Sequence, residues 1–348
     1  MAERWLEPLA LLHGHGAALA VAAGAAVPLG GEGAAFTLAR LVEEGRTIAV
    51  LPPDRLPPGW DGALAALARP LPSFAGIVPR APGMPLVMGI LNATPDSFSD
   101  GGRHLRAEAA VAAGHAMLEA GADILDVGGE STRPGAAPVT PEEEAARILP
   151  VVRALAPHAP VSIDTRHAAV MRAALEAGAA IVNDVTALRH DPAALPLVAQ
   201  ARCPVVLMHM PGTDPRTMQA QARYGDVALE VARHLAGRLE DCAAAGIPRE
   251  RIALDPGIGF GKTLEHNLEL IDRLPLLAGL GCPVLVGASR KRFVGTLSGV
   301  AEAGRRGPGS IGVALAAAAR GAAILRVHDV AETVQALRVW HAADRGAA

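Results

Sequence analysis

Long apolar runs, basic clusters and paired cysteines are all missing from this chain, and each absence removes a class of protein. Across 348 residues no stretch keeps the roughly 20 consecutive apolar residues of a bilayer span, because glycine, proline and charged residues interrupt every candidate. The three cysteines, Cys203, Cys242 and Cys282, lie far apart without CxxC spacing, so neither a disulfide framework nor a structural zinc site is expected. A reducing, cytoplasmic setting is the simplest reading. The formal net charge of -3, with no basic run, leaves no footprint for nucleic acid or an anionic membrane surface. An alanine-rich stretch over residues 17–28 could pass for the apolar part of a secretion signal, but Glu3 and Glu7 precede it where basic residues belong. Aromatics make up 3% and hydrophobic residues 51%, a balance dominated by alanine and glycine that suits closely packed helices laid on a sheet.

Two regions differ in texture. Residues 1–82 hold an apolar helix-like segment, a second at residues 35–44, a strand-like run at residues 47–51 and then a proline-rich connection. They read as a small accessory α/β segment and linker without a chemical motif. Residues 83–348 alternate short apolar runs with alanine-rich helical runs eight times. The predicted strands are residues 87–91, 124–127, 161–163, 181–183, 205–208, 252–254, 284–286 and 324–327. The predicted helices are residues 107–120, 142–155, 168–177, 193–201, 222–245, 264–274 and 310–320, with a last one from Val330. Eight βα units of this length predict a (β/α)8 TIM barrel. The rival, an open doubly wound sheet, needs a glycine-rich dinucleotide turn after its first strand, and Asn-Ala-Thr-Pro-Asp stands there instead.

Active sites of such barrels lie at the C-terminal ends of the strands. Each apolar run here ends in polar residues: Asn92, the loop Gly128 to Gly135, Asp164, Asn183 with Asp184, His209, Asp255, Ser289-Arg290-Lys291, and Arg326 with His328. Asp164, Asn183, Asp255 and Lys291 supply acceptors, an amide and an ammonium, a set that can hydrogen-bond the edge of a planar heterocycle. Asn92, Arg326 and His328 bring an amide and two cations, which suits a phosphate or pyrophosphate and its Mg2+. A lone buried Asp or Asn at a strand end can equally be a cap, and His209 can be a core histidine. Gly261-Lys262-Thr263 resembles the end of a phosphate loop, but Pro256 occupies the position that requires glycine. Lys262 is therefore expected at the surface or behind the residues that touch ligand, and Glu130 as a loop brace.

With these residues in view the chain resembles the dihydropteroate synthase family. The matching blocks are ILNATPDSFSDGG, GADILDVGGESTRPGA, SIDTRHAAVMRAALEAGAAIVNDVTAL, LMHMPG, LDPGIGFGKTLEHNLELI, VGASRKRFVG and GPGSIGVALAAAARGAAILRVHDV, in that order. The resemblance implies a Mg2+-dependent condensation of 6-hydroxymethyl-7,8-dihydropterin pyrophosphate with p-aminobenzoate, giving dihydropteroate and pyrophosphate, in a homodimer. Carried over motif by motif, Asp164, Asn183, Met208, Asp255, Phe260 and Lys291 correspond to pterin-binding residues. Asn92 corresponds to the Mg2+ ligand, and Arg326 and His328 to pyrophosphate anchors beside it. Phe98, Thr132, Arg133, Pro134 and Ser289 correspond to the p-aminobenzoate site and its covering loops. Asp164, Lys291, Arg326 and His328 are the implied catalytic set.

A pterin-dependent methyltransferase and a catalytically inactive pterin-binding paralogue are the rival readings. The Ser131 to Pro134 loop together with Ser289-Arg290-Lys291 argues against the first, and retention of both half-sites against the second. Two departures stand out. Pro211 occupies a position where family members commonly have glutamine, and many members begin only shortly before the first barrel strand, leaving residues 1–82 unassigned.

Overall fold

The structure, a computed structural model, describes residues 3–31, 33–93, 103–130 and 139–345. Its first part is built from β1 (Arg4–His13), α1 (Gly14–Ala22), β2 (Val27–Pro28), β3 (Ala34–Glu43), β4 (Arg46–Leu51) and α2 (Asp61–Ala68). β3 is the centre of an antiparallel sheet, with β1 along one side and β2 and β4 along the other. This corrects the helix expected over residues 35–44. The sequence there is compatible with either period, and pairing from Arg4↔Glu43 to His13↔Ala34 decides it, burying Phe36, Ala39 and Leu41 completely.

From Leu86 the chain alternates strand and helix: β5 (Leu86–Asn92), α3 (Arg103–Glu119), β6 (Ile124–Gly128), α4 (Pro141–Leu155), β7 (Val161–Asp164), α5 (Ala168–Glu176), β8 (Ile181–Asp184) and α6 (Ala194–Ala201). It continues through β9 (Val205–Met208), α7 (Val227–Ala244), β10 (Ile252–Asp255), α8 (Leu264–Asp272), β11 (Val284–Val286), α9 (Arg292–Ser298), α10 (Gly307–Ala318), β12 (Ala322–Val327) and α11 (Val330–Arg345). β5 to β12 are all parallel, and β12 pairs back onto β5 to close the barrel. The expected (β/α)8 architecture is therefore present, with α9 as an extra short helix. Local chemistry starts several helices: Thr140 caps α4 ahead of Pro141, Asp226 caps α7, and Thr263 and His266 cap α8 reciprocally.

Side chains alternate in and out along each strand, so the barrel interior fills in layers. Met88, Ile124, Ile181, Val206, Ala253 and Ile324 form an apolar layer, and Phe74, from the connection before β5, packs against it. Two residues further along their strands the inward positions are Asp126, Asn183, Asp255 and Arg326. The apolar layer is thus the floor of a polar one.

The accessory sheet is joined to the barrel by charge as well as by apolar contact. Glu7 of β1 is 1% exposed, yet its carboxylate meets Arg273 at 2.8 Å and Arg40 at 2.6 Å. Arg273, just after α8, also reaches Asp226 and Glu269. A buried carboxylate is tolerated there because two guanidiniums satisfy it.

Phe74→Ala should remove the aromatic closure of the floor and cost about 3 to 4 kcal/mol, the usual scale for emptying a buried phenylalanine site. Urea unfolding of the full chain measures this. An unchanged midpoint would show that the barrel interior does not rest on Phe74.

Candidate active site

At the C-terminal mouth of the barrel, Arg326 stands between two carboxylates. Its Nε donates to Asp126 Oδ2 at 2.5 Å and its Nη2 to Asp164 Oδ2 at 2.5 Å. Asn183 Nδ2 donates to the same Asp126 oxygen at 3.1 Å. Asp126 is completely buried, and its other oxygen, Oδ1, has no hydrogen-bond partner among the described residues. A buried acceptor in that condition is costly unless something satisfies it, as a ligand N–H does.

Asp126 sits inside the apolar run of β6, so a pattern that marks only the polar residue after each run does not single it out. The alternation Ile124, Asp126, Gly128 was the signal that places it inward.

The cluster has more acid than base, and this sets its protonation. Burial pushes the Asp164 carboxyl up to about 7; Arg326 opposes the shift, while Asp126, Asp184 and Glu130 add to it. Burial disfavours the Arg326 charge, but the Asp126 and Asp164 carboxylates outweigh it and hold the guanidinium above its ordinary range. Asp184 is also pushed up by burial, to about 6, though it accepts hydrogen bonds from Thr186 and Leu188.

The turn after β10 forms one wall. Asp255 Oδ1 accepts from the Gly257 amide at 2.6 Å, and burial raises its carboxyl above the usual range against the pull of Lys291. Glycine is required at position 257, where φ is +69° and a Cβ would fall 1.9 Å from the His209 carbonyl. Lys291 Nζ donates to the Ile258 carbonyl and lies 4.4 Å from the centre of the Phe260 ring. Burial lowers the Lys291 ammonium to about 8, with Arg326 adding to the effect and Asp255 and Asp164 opposing it. Met208 packs with Val185, Met210 and Met218 against Phe260 to make the apolar part of this wall.

At the rim, Ser289 Oγ lies 3.1 Å from His328 Nδ1 and accepts from the His328 amide at 3.2 Å. The Ser289 hydroxyl therefore orients His328. Arg290 is held by Asp329 at 2.5 Å, which ties the loops after β11 and β12 together. Asn92 ends β5 half-buried, in register with Gly128 of β6.

Glu130 pairs with Arg166 at 3.0 Å, a brace as expected. Of the two places expected for Lys262, the structure takes the one behind the residues of the wall: it is 5% exposed and lies against His209. His209 is buried, and burial with the nearby Lys262 and His234 lowers its imidazole to about 2, so it stays neutral. Phe98, Thr132, Arg133 and Pro134, predicted for the covering loops, lie outside the described residues.

A (β/α)8 barrel whose mouth combines an inward ring of hydrogen-bonding groups with a cationic rim defines an enzyme for a flat polar heterocycle carrying an anionic arm. Residues 88–328 match the family of pterin binding enzymes. The dihydropteroate synthase of Neisseria meningitidis serogroup C is 52% identical over 262 residues, spanning 74% of this chain and 92% of that protein. Among solved structures, Xanthomonas albilineans dihydropteroate synthase with 4-aminobenzoic acid shares 53% identity at a TM-score of 0.70, over 75% of this chain and 93% of that one. The same enzyme in complex with 7,8-dihydropteroate shares 49% identity at a TM-score of 0.70, over 79% and 98%. This chain belongs to the dihydropteroate synthase family.

Asp126→Asn should lower the pKa of Asp164 below about 7, because it removes a neighbouring negative charge and leaves Arg326 to a single carboxylate. Carboxyl-detected NMR titration of the Asp164 side chain reads this directly. A shift upward, or none, would contradict the shared-guanidinium description.

Proposed function

We propose that the chain is a dihydropteroate synthase, a transferase that condenses 6-hydroxymethyl-7,8-dihydropterin pyrophosphate with p-aminobenzoate to give 7,8-dihydropteroate and pyrophosphate in folate biosynthesis. The observation that carries this reading is the polar layer at the barrel mouth. Asp126 Oδ1 is a buried acceptor without a partner among the described residues, and Asp164, Asn183 and Asp255 add acceptors and an amide around it. A pterin edge presents N–H donors and a carbonyl in one plane, so this set is complementary to it. Met208 and Phe260 supply the apolar surface for its faces.

The reaction breaks the C–O bond between the pterin methylene and pyrophosphate, and the departing oxygen keeps the bonding pair. The p-aminobenzoate nitrogen forms the new C–N bond and then loses a proton. No protein nucleophile is needed. Asp164, when ionised, stabilises positive charge on the pterin as the leaving group departs. Arg326 has Nη1 uncommitted by its bonds to Asp126 and Asp164 and supplies positive charge toward the pyrophosphate, with the His328 ring as a hydrogen-bonding partner beside it. Ser289 fixes the His328 ring for that task.

Mg2+ fits this site as a shared rather than an enclosed ion, since Asn92 offers one neutral amide oxygen and the ion keeps much of its water shell and favours phosphate oxygens. When bound it would supply further stabilisation of negative charge on pyrophosphate. We assign Phe98, Thr132, Arg133 and Pro134 to the cover over p-aminobenzoate and Ser289 to its edge, on the family motifs they match. Homodimer assembly rests on the same resemblance. The cytoplasmic assignment is supported by three free, buried cysteines. No helix among the described residues is long and apolar enough to cross a membrane.

An assay containing Mg2+, the pterin pyrophosphate and p-aminobenzoate should yield dihydropteroate, and Asp164→Asn should lower turnover about 100-fold with far-UV circular dichroism unchanged. Folded wild-type protein that forms no dihydropteroate would sink the reading. The rate should also depend on pH in a bell shape. Below about 7 Asp164 takes up its proton and activity falls; above about 8 Lys291 loses its proton and activity falls again. A rate independent of pH from 6 to 9 would remove both groups from the mechanism.

A further inference from the structure

Four consecutive carbonyls in the glycine-rich turn after β10 each accept a hydrogen bond from a side chain. Ile258 O accepts from Lys291, Gly259 O from Gln219 Nε2 at 3.0 Å, Phe260 O from Lys262 Nζ at 3.0 Å, and Gly261 O from the Tyr224 hydroxyl at 3.1 Å. From the other side Gly259 donates its amide to Asn267 Oδ1 at 2.6 Å. The turn needs such support. Its glycines 257, 259 and 261 have φ of +69°, +79° and +59°, and a backbone of this shape makes few bonds to itself.

Lys262 and Lys291 are the only two lysines in the chain, and both are directed at this one turn. Their situations differ. Lys291 lies over the Phe260 ring and near Asp255, inside the pterin wall. Lys262 lies behind it, 3.0 Å from His209 Nδ1 and 3.4 Å from the His209 carbonyl in addition to Phe260 O. Burial lowers the Lys262 ammonium to about 7, and in its charged form its three donors meet three protein acceptors. Neutral His209 serves as acceptor at Nδ1, which leaves its proton on Nε2. Replacing Lys262 by an apolar residue would leave Phe260 O and His209 Nδ1 without their donor and would release the turn from β9.

We propose that Lys262 is a positioning residue for the pterin half of the site: spent wholly on protein acceptors, it holds Asp255 and Phe260 in the arrangement the heterocycle meets and locks their turn to His209 after β9. Gln219 and Tyr224, from the segment between β9 and α7, complete the same clamp. The inference rests on the condensation proposed above and assigns a specificity of effect within it: the clamp acts on pterin recognition and not on p-aminobenzoate.

Steady-state kinetics of full-length Lys262→Met, varying each substrate in turn with Mg2+ present, tests this. The KM for the pterin pyrophosphate should rise about 10- to 50-fold while that for p-aminobenzoate stays within about twofold. Tyr224→Phe, which deletes one hydroxyl from the same clamp, should raise only the pterin KM, about 3- to 5-fold, and decides the matter if Lys262→Met does not fold. Pterin KM unchanged in the folded variants, or equal losses for both substrates, overturns the proposal. Calorimetry with 7,8-dihydropteroate separates the two claims. If wild type forms no product yet binds 7,8-dihydropteroate and Lys262→Met loses that affinity, the functional reading falls and the positioning role stands. If wild type is active and both proteins bind 7,8-dihydropteroate equally, the positioning role falls alone.

Discussion

One guanidinium shared by a buried and a half-buried carboxylate governs the chemistry at the barrel mouth. Taking Arg326, Asp126 and Asp164 out of water is expensive, and the arrangement is tolerable only because Nε and Nη2 satisfy one oxygen of each acid while Asn183 reinforces the first. Two acids against one cation leave excess negative charge in a low-dielectric space. Burial first, with that excess adding to it, raises the Asp164 carboxyl to about 7, and Asp126 Oδ1 has no partner among the described residues. Stability alone would favour an apolar layer here. The polar layer instead offers hydrogen-bonding groups already fixed in direction, so a ligand need not order them on arrival.

The surroundings serve that cluster. An apolar layer of strand residues, with Phe74 beneath it, forms a close-packed floor that keeps the polar layer from relaxing downward. The turn after β10 is held by side chains from the segment between β9 and α7, from the loop after β11 and from α8, and the loops after β11 and β12 are joined through Arg290 and Asp329. Ser289 and His328 then sit on a rim whose two loops are tied to each other. The accessory sheet reaches the barrel through Glu7 and Arg273, beside α8.

Much of this was legible in the sequence, for a physical reason. Parallel strands buried on both faces read as short continuous apolar runs, so β5 to β12 stand out between alanine-rich helices, and their first polar successors mark the mouth. Asp164, Asn183, Asp255, Lys291, Arg326 and His328 could be picked that way, and the structure places them at that end of the barrel. Asp126 could not, because a polar residue inside an apolar run is invisible to a search for run ends. For Lys262 the sequence leaves the surface and a place behind the ligand-touching residues both open, and only the fold, which brings His209 to it, decides for the second. The apolar residues of β3 fit both periods, and its partner β1 lies three elements upstream in the chain, so a helix is the local reading and only the pairing shows the strand.

The account assigns Arg326 two duties at once: holding apart the carboxylates that meet the pterin, and presenting positive charge to the pyrophosphate. Calorimetric titration of wild type and Arg326→Gln with 7,8-dihydropteroate, which lacks pyrophosphate, and separately with inorganic pyrophosphate in Mg2+, examines both directly. Affinity for both ligands should fall in the variant. Loss for pyrophosphate with undiminished binding of 7,8-dihydropteroate would contradict the bridging role on which the description of the site depends.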